Sequence, residues 1–317
     1  MGVNIADATL EPGKGEQPHV EEAVPTKVKG VGPVRAFFNE LGRSKSGLFG
    51  FIIVAFIVVM SILAPIIRGN LKPTTEYWAK PSAAHPLGTS GQGIDTLAMI
   101  VNGGRTVLMV GFSAAALTVV IAVVIGALSA YFRGWFDALM LQVADLFMTI
   151  PQIVLLAVLG AMLSGSNFKF FETPMGMATI VGTLSWPVLM RSIRAQVLTL
   201  KEREFVEAAR LLDLGTLRIV FVEIVPNMAS FILINFIIAV TNAIYAMVGL
   251  YLLGLAPLAG TNWGIMVQDG WTNGAMFNPD ALPYILAPVA MIVLLQLGLI
   301  LLTRSLEEIL NPRLRDR

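Results

Sequence analysis

Few side chains in this 317-residue sequence are suited to covalent or metal chemistry. There are no cysteines and only two histidines, His19 and His85, which removes thiolate nucleophiles, disulfides and Cys-based zinc sites and leaves little for a histidine metal centre. His85, next to Pro86, reads as a solvated loop residue without ligand partners, and His19 lies in a polar tail. Neither H-E-x-x-H nor G-x-S-x-G occurs, and the Gly13–Lys14 pair lacks the upstream glycine of a phosphate-binding loop. An enzyme is not the expectation, and no cofactor is expected on this chain. The chemistry left is that of docking and passage: one patterned polar segment at about 199–226, and one carboxylate, Asp145, inside an apolar run.

In the polar segment Thr199 stands three residues before Glu202, the spacing of a capping box, so a helix is expected to start there. Phe205, Ala208, Ala209 and Leu212 then fall on one face, with Glu204, Glu207 and Arg210 largely elsewhere, which predicts a short amphipathic helix outside the membrane. Gly215 is expected to end it in the left-handed conformation, Thr216 to cap a second short helix, and Pro226 to sit in the first turn of the next span. The segment reads as a rigid elbow. A helix of this kind also suits lipid headgroups; its small Ala208 and Ala209 would instead let another protein's backbone approach closely.

An ionisable group within an apolar run is costly and points to function, so Asp145 is a candidate for lining a path through the membrane or, alternatively, for bonding a neighbouring helix. Asn235, Thr241 and Asn242 are milder path candidates, and Gln296 joins them as a polar group in the last apolar run. Gly126 and Ala130 form a small-xxx-small notch for helix packing. Pro151 and Pro187 are expected to kink their spans.

These residues need a membrane to act in. The chain is 56% hydrophobic and 14% charged with mean hydropathy +0.74, against about 25% charged residues in ordinary soluble domains. Six apolar segments, about 48–67, 106–131, 139–163, 175–197, 227–250 and 283–303, each approach the roughly 20 residues a helix needs to cross. The first lies far from the N-terminus and lacks a cleavage site, so it reads as a retained span. Net charge is +1, which gives no reason to expect nucleic acid, but the cations are unevenly placed. Lys27, Lys29, Arg35, Arg43, Lys45, Arg133, Arg191, Arg194, Lys201, Arg203, Arg210, Arg218, Arg304, Arg313, Arg315 and Arg317 fall on one side, against Arg68, Lys72, Lys80, Arg105 and Lys169 on the other. The richer side is expected to be cytoplasmic. The expectation is an all-α membrane protein of six transmembrane helices with both termini cytoplasmic. A tail at 1–47 would carry a short surface helix at 34–41. Extracytoplasmic segments would lie at 68–105 and 251–282, a core at 106–303, and a second tail at 304–317. Arg191 and Arg194 are expected to snorkel to the cytoplasmic surface.

E-A-A-R-L-L-D-L-G-T-L-R-I-V-F-V-E-I-V-P-N (Glu207–Asn227) resembles the EAA loop of ABC importer permeases. The likeness extends from His85 to the C-terminus and is nearest to the second membrane subunit of the dipeptide and oligopeptide permeases. It is carried by H-P-L-G-T-S-G-Q-G-I-D (His85–Asp95), A-Y-F-R-G-W-F-D-A-L (Ala130–Leu139), Asp145–Pro151, S-W-P-V-L-M-R-S-I-R-A-Q-V-L (Ser185–Leu198) and Asn262, Trp263, Gly264, Met266, Asp269 and Gly270. The resemblance implies a type I ABC importer permease fold in a prokaryotic inner membrane, forming half of the translocation path. It implies a second homologous permease, two cytoplasmic ATPases that bind ATP and Mg, and an extracytoplasmic substrate-binding protein. Docking to an ATPase would fall to Glu204, Phe205, Glu207, Ala208, Ala209, Leu212, Asp213 and Gly215, and either Ala208→Trp or Ala209→Trp should leave a folded chain that no longer transports. Asn262, Trp263 and Asp269 would face the binding protein, with an interfacial anchor the other reading for Trp263 and Trp271. Peptides are the expected cargo, with short oligosaccharides or nickel chelates as alternatives. The sequence departs from the family pattern at Asp213, which stands where a glycine is usual, so the helix is expected to run on to Gly215. Ser90, Gly91 and Ile94 replace usually charged residues in the first extracytoplasmic motif. An ion-driven secondary transporter is the rival, disfavoured by the lack of an obvious repeat and of further midplane charges.

Overall fold

The computed structural model describes residues 44–68, 71–163, 169–255 and 260–310. The proposed surface helix at 34–41 and the terminal cations Arg313, Arg315 and Arg317 lie outside the described residues. Helices dominate, and no strand occurs among the described residues.

Ser44 accepts from the Gly47 amide and starts α1, Lys45–Ile62, which a short α2, Ala64–Arg68, follows. Asp95 caps α3, Thr96–Phe132, by accepting from the Ala98 amide at 2.8 Å. At 37 residues α3 is about 55 Å long, longer than a hydrocarbon core, so it projects beyond it. Next come α4, Gly134–Thr149, and α5, Gln152–Leu163, bent by 81° at the break before Pro151. α6, Pro174–Leu184, and α7, Trp186–Leu200, break at Ser185 beside Pro187. Both prolines thus interrupt their runs as the sequence suggests. α8, Glu204–Leu211, is the short helix of the polar segment, and a helical stretch from Thr216 to Asn227, including a wider π turn at Ile219–Ile224, leads to α9, Ala229–Leu252. α10, Trp263–Thr272, and the long α11, Leu282–Leu310, complete the order.

Among the described residues four helices, α1, α3, α9 and α11, are long and apolar enough to cross a membrane, and the bent α4–α5 pair raises this to five. The remaining expected span, 175–197, is split: α6 is apolar but short, and α7 carries Arg191 and Arg194.

The fold is organised around α3, which packs against α1, α6, α7 and α9, while α11 closes over α1, α9 and α10. Small residues permit the closest approaches. A Cβ on Gly126 would stand 2.7 Å from the Met190 carbonyl oxygen of α7, and Ala130 one turn on is fully buried, so the notch read from the sequence is where α3 meets α7. Two apolar cores result. One joins α1, α5, α6 and α10 to the adjoining parts of α3, α9 and α11. The other joins the inner halves of α3 and α7 to the polar segment.

Candidate functional site: the elbow and the open helix face

The elbow is fixed from behind. Val206, Ile219, Val220 and Ile224 are buried with Ala209 against Ala127, Ala130, Ile193 and Val197, each of the larger side chains contributing about 1.5–3 kcal/mol by burial. The opposite side of α8 is bare: Glu204, Phe205, Glu207, Ala208, Leu211 and Leu212 are exposed, with Leu211 83% and Leu212 73% accessible. Leu217 adds a further exposed apolar side chain. Phe205, Ala208 and Leu212 therefore share a face as expected, but Ala209 belongs to the buried side with Val206. Ala209→Trp would force an indole into the inner core, so the expectation that it leaves the fold intact is corrected; Ala208 alone is a clean probe.

Both ends of α8 differ from expectation. Thr199 lies inside α7, where its hydroxyl donates to the Ala195 carbonyl at 3.2 Å, and α8 begins only at Glu204. The capping box does not form because α7 continues through Leu200. Glu204 and Glu207 occupy the first turn of α8, where carboxylates complement the positive end of the helix dipole. At the far end Gly215 has an ordinary φ of −61° and precedes the second helix without a side-chain cap from Thr216. The left-handed residue is Asp213, with φ +53°. Its amide donates to the Arg210 carbonyl at 2.9 Å and the Leu214 amide to the Ala209 carbonyl at 3.2 Å, the bond pair of a Schellman C-cap. Asp213 thus adopts the conformation of the glycine it replaces, and the helix does not run on.

Behind the elbow lies a polar cluster that sequence reasoning missed. Arg194 of α7 donates through Nε and Nη2 to Asp137 of α4 at 2.6 and 2.5 Å, and Ser129 of α3 donates to the same carboxylate. Lys201 is buried and donates from Nζ to the Ala130 carbonyl at 2.9 Å. Burial, reinforced by the Arg133 cation, holds its pKa below the ordinary value of 10.5. Arg210 lies over the Tyr131 ring, 5.8 Å from its centroid, and reaches the Lys201 carbonyl at 3.4 Å. The available signal was Asp137 in the apolar turn Ala130–Leu139, a carboxylate that needs a cation. Arg194 thus clamps a helix instead of snorkelling. Arg191 likewise pairs with Asp145, so Asp145, exposed on α4, bonds a neighbouring helix.

One flank of the subunit, where α5, α6–α7 and α9 meet, carries polar groups on an open face. A groove of about 490 Å³ is lined by Gln152, Ser185, Asn242 and Tyr245 among apolar neighbours. A smaller recess of about 100 Å³ adjoins it, with Thr118, Ser192 and Asn235. Gln152 donates to the Ser185 hydroxyl at 2.6 Å. Asn235 bonds its own helix through the Phe231 carbonyl, as Thr241 does through Ile237. Asn235 and Asn242 are brought together here; Thr241 is not among the lining side chains, and Gln296 is buried, reaching the Thr241 carbonyl at 3.4 Å.

At the start of α10 Asn262 is fully buried and caps the helix by accepting from Ile265 at 2.9 Å, and Trp263, also fully buried, donates from Nε1 to the Ile100 carbonyl at 2.8 Å. Both hold α10 onto α3 and offer no surface to a receptor, which corrects that assignment; nor does Trp263 anchor at an interface. Asp269 accepts from Tyr284 at 2.9 Å and is half-buried, whereas Trp271 is 68% exposed. His85 is not simply solvated, since its Nδ1 lies 2.7 Å from the Asp95 carboxylate that caps α3.

Residues 122–316, which include the elbow, the open flank and α10, match the family described as binding-protein-dependent transport system inner membrane component. The chain belongs to this family. It is a multi-pass inner-membrane transport subunit of an ABC-type system. Among its relatives, a putative peptide permease of Brucella suis is 30% identical over 288 residues, covering 89% of this chain and 92% of the relative. An oligopeptide transport system permease of Mycobacterium bovis is 30% identical over 238 residues, 74% of this chain and 78% of the relative. A dipeptide transport system permease of Alkalihalophilus pseudofirmus is 29% identical over 290 residues, 90% and 92% respectively.

Proposed function

We propose that this chain is one of two homologous permease subunits of an ATP-driven importer of di- and oligopeptides, with α8 as the element that receives force from a cytoplasmic ATPase. The observation that carries the reading is the division of the elbow into a buried back and a bare front. Val206, Ala209, Ile219, Val220 and Ile224 are locked into the inner core, while Phe205, Ala208, Leu211 and Leu212 remain exposed on the same short stretch. Exposed leucines on a rigid, solvent-side support suit a protein partner. Glu204, Glu207 and the exposed Asp213 and Gly215 at its ends would set the register.

In this reading α4–α5 form one broken span and α6–α7 another, giving six spans with α1 entering from the cytoplasm and both termini cytoplasmic, as the cation distribution favours. ATP and Mg would bind only on the ATPase subunits, whose closure would push α8 and, through the Asp137–Arg194 clamp, tilt α4 and α7 with it. The open flank with Gln152, Asn235 and Asn242 would face the second permease and form half of the path, from the extracytoplasmic binding protein to the cytoplasm. Asp145 would edge that path, paired with Arg191. On the outer side, the exposed Trp271 and the half-buried Asp269 would lie at the docking surface. The peptide cargo is supported by the three relatives above, which are a putative peptide permease, an oligopeptide permease and a dipeptide permease.

The test is affinity purification from the native membrane followed by uptake measurement. Copurification of a second permease, ATPase and binding-protein chains, with ATP-dependent peptide uptake lost in Ala208→Trp but with assembly of the permease pair retained, is expected. A chain that purifies alone and transports without ATP would overturn the proposal.

A further inference from the structure

The elbow also holds the end of α3. Lys201, 5% exposed between α7 and α8, donates from Nζ to the Ala130 carbonyl at 2.9 Å, one of the last carbonyls that a helix end leaves without a partner of its own. Arg210 of α8 lies over the ring of Tyr131, 5.8 Å from its centroid, and donates to the Lys201 carbonyl at 3.4 Å. Glu202 accepts from Arg133 at 3.3 Å; both side chains are exposed, so this pair adds little. The buried lysine and the stacked arginine are the grip.

How far a push on the elbow travels depends on which helices are unbroken. α4 and α7, tied together by Asp137–Arg194, end at the breaks before Pro151 and at Ser185. α9 is parted from the elbow by the π turn at Ile219–Ile224 and by Met228, whose φ of −112° and ψ of 16° leave the helix. Among the described residues α3 is the one helix that runs from the elbow to the opposite end of the molecule without a break or a proline, so a displacement at Ala130 is carried over about 55 Å. The far end of α3 bears segment 71–95. The Thr96 amide donates to the Gly88 carbonyl at 3.0 Å, and Asp95, the cap of α3, bonds His85 at 2.7 Å. The segment is tied to itself: the Thr74 amide donates to the Gly93 carbonyl at 2.8 Å, and the Thr89 hydroxyl donates to the Glu76 carbonyl at 2.6 Å while accepting from the Ala79 amide at 2.9 Å. Trp78 meets Tyr284 of α11 edge to face at 5.4 Å, a ring contact that can slide without breaking a directed bond.

We propose that α3 is a coupling rod: when an ATPase moves the elbow, Lys201 and Arg210 shift the end of α3 that they hold, and segment 71–95 moves with the other end past Tyr284. Glu76 and Tyr77 are exposed on that segment, so a partner docked there meets a surface whose position follows the nucleotide state, and by linkage its binding acts back on the elbow by the same factor. Lys201 and Arg210 are positioning residues that touch no cargo. The inference rests on the reading of α8 as the ATPase-bound element and adds to it a second route, separate from the Asp137–Arg194 clamp.

The experiment measures spin-label distances in the assembled transporter, nucleotide-free and trapped with ATP and vanadate, on a chain that has no cysteine of its own. Tyr77→Cys with Phe277→Cys, both exposed, reports segment 71–95 against the turn before α11. Leu217→Cys with Met162→Cys, also exposed, reports the elbow against α5. Trapping should move both pairs, the first by about 1–2 Å, the size of helix shifts in switching proteins. In Lys201→Met/Tyr131→Leu, which leaves the bare side of α8 untouched, the shift at 77–277 should be lost while that at 217–162 persists. In Asp137→Asn/Arg194→Gln the shift at 77–277 should persist. Should the first double variant fail to assemble, Tyr131→Leu alone should still shrink the 77–277 shift. A native 77–277 distance that stays fixed while 217–162 moves, a shift retained in the Lys201→Met/Tyr131→Leu and Tyr131→Leu chains, or one lost equally in Asp137→Asn/Arg194→Gln would each overturn the rod and leave the importer reading standing. If neither pair moves on trapping, the reading of α8 itself falls and the rod with it.

Discussion

Asp213 offers a sharp test of how the elbow is terminated. Its φ of +53° places a side chain where glycine is normally required. The left-handed conformation costs an L-residue roughly 1–2 kcal/mol, with Asp and Asn at the low end. A carboxylate at a helix C-terminus adds about 0.3–1 kcal/mol of unfavourable dipole interaction. Asp213→Gly relieves both, and the greater freedom of glycine in the unfolded chain gives back about 0.4–1 kcal/mol. The net expectation is a gain of about 0.5–1 kcal/mol. Asp213→Val would instead place a β-branched residue at positive φ and cost about 1–2 kcal/mol more than Asp. The local readout is hydrogen exchange at the Leu214 amide, which bonds the Ala209 carbonyl at 3.2 Å. Glycine and valine variants separated by about 2 kcal/mol should differ about 30-fold in protection, with Asp213→Asn slightly above the native residue. Equal protection in the glycine and valine variants would refute the assignment of strain to this position.

Two other perturbations probe the cluster behind the elbow. Arg194→Gln strands the Asp137 carboxylate, which is 9% exposed, and should lower stability by about 2–3 kcal/mol; melting of the double variant Asp137→Asn/Arg194→Gln should be less impaired than the sum of the singles, and strict additivity would count against a direct clamp. Because burial holds Lys201 below 10.5, the folded chain releases this proton before the unfolded chain does. Between the two values the unfolded state binds more protons, so the Lys201 contribution to stability grows as pH rises through that window. Thermal melts against pH should show this rise in the native chain and not in Lys201→Met; parallel curves would exclude it.

The membrane character and most helix positions were legible in the sequence because apolar runs of span length have few other uses. The limits of that reading are physical. Segment 175–197 met the length criterion but is divided at Ser185, where Pro187 follows and α7 gains two arginines that pair with α4. Such pairing depends on which helices become neighbours, and that is not written in either segment alone. The elbow helix and its Phe205–Ala208–Leu212 face were visible as a period, but Ala209 was grouped with that face; it turns inward with Val206. Asn262 and Trp263 were expected to face the binding protein by family resemblance; a cap and an indole N–H bond bury them instead. With Asp213 where a glycine is usual, the helix was expected to run on to Gly215, although Asp is one of the few non-glycine residues that tolerates the left-handed form.

The central claim, that the bare side of α8 meets an ATPase while its other side does not, can be tested through the absence of cysteine in the chain. A single Ala208→Cys variant, treated with a short bifunctional thiol–amine reagent in the assembled complex, should cross-link to the ATPase chain. Trp271→Cys, exposed at the other end of the molecule, should not. Cross-linking at position 208 to the ATPase and none at 271 is the result predicted here; labelling of Ala208→Cys by a soluble thiol reagent in the intact complex, with no cross-link to an ATPase, would contradict it.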